Sequence, residues 1–329
     1  MRPTILFGGP SRERLVSVAS AQAVSEALPD AELWFWDIDG RVTATSAERL
    51  SGHERPFEIP FKADGAVIGT VAEALDRARA EDRVLVLALH GGAAENGEFQ
   101  VLAELRGVAF TGSGSASSSL AFDKVRAKAF ARAAGLNAPS SVALDDMDEA
   151  LGHYGKLIAK PANEGSSYGL IFVNASQDLD AVRVAAKTMD YLVEPFITGA
   201  EATCGVLEQA DGSLIALPPV EILPADGAFD YHGKYLAKTT QEICPARFPP
   251  EVNARIQALA IEAHRALSCR GYSRSDFIIS DRGPVYLETN TLPGLTKASL
   301  YPKSLKAQGL GFVDFLNGQI DLAVTRAGR

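Results

Sequence analysis

Two C-terminal segments set acids, an amide and a guanidinium at spacings that suit charge chemistry. They are Gly271-Tyr272-Ser273-Arg274-Ser275-Asp276-Phe277 and Leu287-Glu288-Thr289-Asn290. Both read as strands, Ser273–Ile279 and Val285–Thr289, around the turn Ser280-Asp281-Arg282-Gly283. Residues two apart on a strand face the same side, so Arg274 shares a face with Asp276, and Glu288 with Asn290. A loop of Asp281–Gly283 sets Asp276 opposite Glu288 and Arg274 opposite Asn290; a loop shorter by one residue breaks that parity. Facing carboxylates repel unless a cation lies between them, and an added amide oxygen suits Mg²⁺ bound together with substrate phosphates. The plainer reading is a solvated polar face in which Arg274 pairs with Asp276. The loop that follows, Thr291-Leu292-Pro293-Gly294-Leu295-Thr296, can expose backbone N–H groups beside the same place.

A second feature is Lys160-Pro161-Ala162-Asn163-Glu164-Gly165-Ser166-Ser167-Tyr168-Gly169. A lysine that ends a strand before a Gly/Ser loop offers phosphate a point charge with N–H and O–H donors. The string lacks the Gly-Lys-Ser/Thr of a Walker loop, and a polar hairpin turn is the alternative. Glu194-Pro195-Phe196-Ile197, with Glu201, ends a buried strand, where an acid binds ribose hydroxyls or is simply solvated. Gly8-Gly9-Pro10-Ser11-Arg12-Glu13 resembles a strand-to-helix turn at a ligand site but lacks the third glycine of a dinucleotide fingerprint. His90 ends another strand, a place where a histidine is more often packed or capping than a base.

These residues need a scaffold, and the first third alternates strand and helix signals. Thr4–Phe7, Glu32–Trp36, Arg83–Leu89 and Ala109–Thr111 read as strands. Val16–Leu28, Thr70–Ala80 and Phe99–Arg106 read as helices, which implies parallel βαβ units with ligands at the carboxyl ends of the strands. After Gly112-Ser113-Gly114 come a helix, Asp123–Ala134, and strands Lys156–Pro161, Leu170–Val173 and Tyr191–Phe196. Further on are β-rich segments Thr203–Leu207 and Leu214–Val220, an irregular stretch Ala225–Pro250 and a helix Val252–Leu267. Boundaries fall near Ser119 and Thr198, giving regions 1–119, 120–198 and 199–329. With 329 residues, 47% hydrophobic and 22% charged, the composition is that of a globular protein. No apolar run approaches the roughly 18 residues of a membrane helix, which excludes a membrane partner of that kind. The net charge of −9 argues against nucleic acid, and three cysteines without metal-ligand spacing fit reduced thiols in a cytoplasmic enzyme.

Taken in order, the strings GGPSRERLVS, LHGGAAENG, TGSGSASSSLAFDK, AKPANEGSSYG, FDYHGKY, ICPA, GYSRSDF and LETNTLPGLTKASLYP resemble the D-alanine–D-alanine ligases of the ATP-grasp superfamily, from Ile5 to about Leu322. The resemblance implies an α/β fold: an N-terminal Rossmann-like parallel domain and two α+β domains that clamp ATP. It implies ATP-dependent ligation of two D-alanines through an acyl phosphate, for peptidoglycan precursor synthesis, by a cytoplasmic homodimer. Lys124 and Lys160 would hold the ATP phosphates under the loop carrying Ser166 and Ser167. Glu194 and Ile197 would lie against the adenine, Glu201 would take the ribose, and Asp276, Glu288 and Asn290 would hold two Mg²⁺ ions. Glu13 would meet the first amino acid's ammonium and His90 would lie near its carboxylate. Arg274, the Gly294 backbone and Ser299 would bind the second amino acid's carboxylate. Lys234 and Tyr235 would lie on a closing loop, Lys234 near the γ-phosphate and Tyr235 joined to Glu13 and Ser166 by hydrogen bonds.

Four positions depart from the family's usual pattern: Leu15, the string Ala94-Glu95-Asn96-Gly97, Pro195, and Tyr168, whose ring is expected to narrow the pocket. None removes a group that the ligation needs. Two other readings remain at this stage: an amino-acid ligase of a natural-product pathway with a different donor or acceptor, and a catalytically silent nucleotide-binding protein. The intact lysines, Arg274 and the acids count against the silent one.

Overall fold

The computed structural model describes residues 1–165, 168–223 and 240–328. Its first sheet has the order β4-β3-β2-β1-β5-β6, built from β1 (Arg2–Gly8), β2 (Glu32–Trp36), β3 (Arg41–Thr45), β4 (Val67–Thr70), β5 (Arg83–Leu89) and β6 (Ala109–Phe110). Strands β2, β1, β5 and β6 are parallel, as the alternating pattern predicts. The run Arg83–Leu89 is buried along its whole length, which is why it is apolar without alternation. Strands β3 and β4 are additions that run antiparallel, so the sheet is mixed rather than wholly parallel. Helix Arg14–Ala27 follows β1, and helix Val71–Ala80 starts at a Thr70–Glu73 capping box.

Because β2 lies on one side of β1 and β5 on the other, the chain reverses its winding between β1 and β5. Gly8 pairs with Leu89 there, so the loops after both strands leave side by side. Ligand sites of open α/β sheets form at that point.

The second sheet is small and antiparallel, β8-β7-β9, from β7 (Leu157–Pro161), β8 (Ile171–Val173) and β9 (Tyr191–Pro195). Helices Met147–Tyr154 and Leu179–Ala185 bury Met147, Leu151, Leu179 and Val182 against Leu157, Val173 and Val193. The third sheet runs β13-β12-β10-β14-β15, with β11 also on β10. Its strands are β10 (Ala200–Glu208), β11 (Leu214–Ala216), β12 (Val220–Leu223), β13 (Gln241–Ile243), β14 (Tyr272–Ser280) and β15 (Gly283–Asn290). The segment read as β-rich, Leu214–Val220, holds one strand and the start of another, parted at Leu217-Pro218-Pro219, since proline cannot donate to a ladder. Helix Pro250–Ala266 buries Ile256, Leu259, Ala260 and Ala263 on this sheet. Helix Phe312–Arg326 returns to the first sheet, where Phe315 and Leu316 join Ile5 and Phe7 in one core.

Candidate functional site

The hairpin of β14 and β15 pairs Asp276 with Glu288 and Arg274 with Asn290. The loop that joins the strands is the shorter one, with Ser280 paired to Gly283. Parity survives because the register shifts by one between Asp276 and Phe277, leaving Leu287 as a bulge residue. The expected pairing therefore holds for a different reason: the bulge turns Glu288 and Asn290 back onto the face of Asp276 and Arg274. Arg274 grips Asp276 with a planar fork, Nε to Oδ1 and Nη2 to Oδ2, both at 2.9 Å. Thr203, paired with Asp276 across β10, donates to the same carboxylate at 2.6 Å.

The loops after β1 and β5 meet this hairpin. The Ser11 hydroxyl donates to the His90 carbonyl at 2.5 Å and accepts the Glu13 N–H at 3.2 Å, which sets Glu13 beside the end of β5. Gly91 at φ +67° and Gly165 both crowd the Glu13 carboxylate so closely that a Cβ at either would strike it. His90 is buried; Nδ1–H donates to the Leu292 carbonyl at 3.0 Å, so Nε2 accepts from the Ser20 hydroxyl at 2.8 Å. Burial pushes its pKa down to about 4, helped by the nearby charge of Arg274. Both ring nitrogens are occupied by protein, so His90 fastens the 291–296 segment to the first sheet and is not placed to act as a base.

One cavity is lined by Glu13, His90, Arg274 and Asn290, with Gly294 and Ser299 opposite. Ser299 stands just before helix Leu300–Ala307 without capping it, and its hydroxyl instead accepts the Thr296 N–H at 3.1 Å. Sequence reasoning missed the catalytic potential of Glu95 here. Its carboxylate is buried in the same cavity, accepts the Gly91 N–H at 3.0 Å, and is pushed up to about 7 by burial and by the charge of Glu13. The Asn290 Nδ2 and the Thr291 hydroxyl are buried with no hydrogen-bond partner among the described residues. Such orphans are costly unless a ligand meets them.

A second cavity lies between the second and third sheets and shares Lys124, Glu164, Gly165 and Glu288 with the first. Lys160, Glu194, Ile197, Glu201 and Asp276 also line it. Asp123 caps helix Lys124–Ala133 by accepting the N–H groups of Val125 and Arg126, both at 3.0 Å. Lys124 then reaches the Glu164 carbonyl at 2.5 Å, with Glu288 3.5 Å away. Lys160 lies 3.3 Å from one oxygen of Glu194, whose other oxygen is taken by Lys128. Lys128, one turn on from Lys124, is a second residue that sequence reasoning passed over; the spacing puts it on the face of Lys124 but gives no sign of the buried Glu194. Tyr168 lines the cavity with its ring half-exposed, and the Arg12 guanidinium stacks over it at 3.8 Å. The expected residues Ser166, Ser167, Lys234 and Tyr235 lie outside the described residues.

No group of three His, Cys, Asp or Glu side chains suited to a metal occurs among the described residues; at the hairpin a cation would find two carboxylates and an amide. Asp276 and Glu288 share a face and both border the second cavity, and Asn290, two residues beyond Glu288 on that face, borders the first. The donor set fits Mg²⁺ that takes its remaining ligands from phosphate oxygens.

Comparison with known proteins gives one family. Residues 2–113 match the family model for the D-ala D-ala ligase N-terminus and residues 128–321 the one for its C-terminus. A D-alanine–D-alanine ligase of Nitratidesulfovibrio vulgaris is 36% identical, with all of both chains covered. One from Nitrosomonas europaea is 37% identical over 97% of this chain and 96% of its own. Among solved structures, the VanG D-Ala:D-Ser ligase of Enterococcus faecalis matches with TM-score 0.80 and 30% identity, covering 98% of this chain and 99% of its own. The D-alanine–D-alanine ligase of Coxiella burnetii matches with TM-score 0.81 and 26% identity, covering 100% and 95%.

Proposed function

Given that this chain belongs to the D-alanine–D-alanine ligase family and has the ATP-grasp fold, we propose that it joins two D-alanines at the expense of ATP for cell-wall precursor synthesis. The observation that carries this reading is the shared wall. Lys124 and Glu288 border an amino-acid-sized cavity on one side and a nucleotide-sized cleft on the other. A phosphoryl group delivered from the cleft therefore arrives where a substrate carboxylate can receive it.

In this reading Glu13 holds the ammonium of the first D-alanine while its carboxylate faces the shared wall. That carboxylate attacks the γ-phosphorus of ATP, ADP leaves, and an acyl phosphate forms. The amine of the second D-alanine attacks the acyl carbon and loses a proton, and inorganic phosphate departs. Lys124 and Lys160 hold the phosphates, Ile197 and the strand end at Glu194 border the adenine, and Glu201 faces the ribose. Asp276, Glu288 and Asn290 would hold Mg²⁺, which supplies charge neutralisation at the transferring phosphoryl group. Arg274, with the Gly294 backbone and Ser299, receives the acceptor carboxylate, and Arg274 is also the cation that would steady developing negative charge. The roles expected of Ser166, Ser167, Lys234 and Tyr235, covering the phosphates and keeping water from the acyl phosphate, belong to the same proposal.

The same reading takes regions 1–119, 120–198 and 199–329 as the three bodies of the clamp, and a cytoplasmic homodimer as the working form. No helix among the described residues is long and apolar enough to cross a membrane. The test is ATP-dependent phosphate release against a panel of D- and L-amino acids and D-hydroxy acids. Release confined to D-alanine, or strongest with it, supports the reading; release with other donors and none with D-alanine favours a natural-product ligase.

A further inference from the structure

Lys128 is only 1% exposed and borders neither cavity, and burial and the nearby Lys160 push its pKa down to about 7 while Glu194 works to keep its charge. Its ammonium pairs with one oxygen of Glu194, itself 1% exposed, and the other oxygen lies 3.3 Å from Lys160. Glu194 on β9 pairs with Ile158 of β7, so it is the diagonal neighbour of Lys160 on the same face. Lys160 borders the cleft and is partly exposed to it. The three groups form a row: a cation behind, an anion between, a cation in front.

The anion has two consequences that oppose each other. A lysine is a point charge on a flexible stem, and a carboxylate fixed on a buried strand holds that stem in one place. The same carboxylate cancels the charge that a polyphosphate needs from Lys160. Two groups alone would present the cleft with a rigid but neutral pair. A third, buried cation restores one net positive charge without loosening the geometry, in surroundings where water screens little.

We propose that Lys128 is a positioning residue for nucleotide phosphates: it neutralises Glu194 from behind, so that Lys160 meets the phosphates both fixed and fully charged. The proposal rests on the ATP-dependent reading above and adds a residue that never touches the ligand. It distinguishes charge from packing. If Lys128 acted only by filling space, methionine, which has similar length and no charge, would replace it, and the state of Glu194 would not matter.

The measurement is calorimetric binding of MgATP to wild type, K128M, E194Q and K128M/E194Q, with the KM for D-alanine and the thermal midpoint recorded for each. K128M is expected to weaken MgATP at least tenfold and to leave the D-alanine KM within about twofold. Adding E194Q to K128M removes the uncompensated anion, keeps an amide oxygen to accept from Lys160 and leaves the strand backbone beside the adenine unchanged, so it should bring ATP affinity back to within about threefold of wild type. Wild-type affinity in K128M overturns the proposal. So does a double variant as weak as K128M, which would show that the loss does not run through the charge of Glu194. If K128M does not fold, the double variant, which buries neither charge, decides alone: near-wild-type affinity supports the charge role and a tenfold loss overturns it. A folded wild type that binds no MgATP removes the ATP-dependent reading itself, a failure distinct from loss in the variants only.

Discussion

Replacing Arg274 by lysine keeps a positive charge on β14 and removes the planar fork. In the structure the fork makes two bonds of 2.9 Å to Asp276, and the side chain borders the amino-acid cavity beside Asn290 and Gly294. Lysine can retain one bond to Asp276, so the hairpin should stay folded. It cannot hold Asp276 and also meet an acceptor carboxylate with two parallel donors. A charge-assisted hydrogen bond contributes about 1.5–3 kcal/mol. The loss of one at the acceptor therefore lowers kcat/KM for the second D-alanine about 10- to 150-fold. Coupled ADP release with D-alanine varied over a wide range separates the two amino-acid sites, and the KM for ATP serves as the control. An R274K enzyme whose acceptor kcat/KM stays within twofold of wild type, or in which only the ATP KM changes, would refute the assignment.

Three further outcomes follow from the site. Glu288→Gln should lower turnover by orders of magnitude at ordinary Mg²⁺ with the thermal midpoint nearly unchanged, because an amide cannot replace the anionic donor that faces Asp276; full activity would remove Glu288 from the cation site. His90 and His264 are both held down to about 4 by burial, so below pH 6.5 the unfolded chain takes up protons that the folded chain refuses. Glu95, pushed up to about 7, works in the opposite sense between pH 4.5 and 7. Each group contributes about 3 kcal/mol at the end of its window. Urea stability should therefore rise by about one group's share from pH 4 to 7, and by about twice that in Glu95→Gln; an identical profile in the variant would contradict the environment assigned to Glu95. In ligases that this chain resembles, a tyrosine at the position of Tyr235 goes with amine acceptors, so Tyr235→Phe should raise the share of D-alanyl-D-lactate when both acceptors are present, as read by mass spectrometry.

The strands and helices that build the first sheet's centre were legible because burial dictates composition there: Arg83–Leu89 could be nothing but a covered strand. The two outer strands on the β2 side, Arg41–Thr45 and Val67–Thr70, were not, since short, partly exposed segments lack a clear period. Helix Ser115–Phe122 escaped notice because serines are weak helix formers and its burial comes from neighbouring elements. At the hairpin, side-chain alternation gave the right partners, the loop is the shorter of the two weighed, and a bulge at Leu287 reconciles the two. Glu95 and Lys128 were missed for a common reason. Their significance lies in burial beside another charge, Glu13 in one case and Glu194 in the other, and neither distance can be read from spacing along the chain.

The most direct measurement is product analysis after incubation of the wild-type protein with ATP, Mg²⁺ and D-alanine as the sole amino acid. The expected result is D-alanyl-D-alanine formed in equal amounts with ADP and inorganic phosphate, and none without ATP. A folded, ATP-binding protein that yields no dipeptide and no ADP from D-alanine would contradict it.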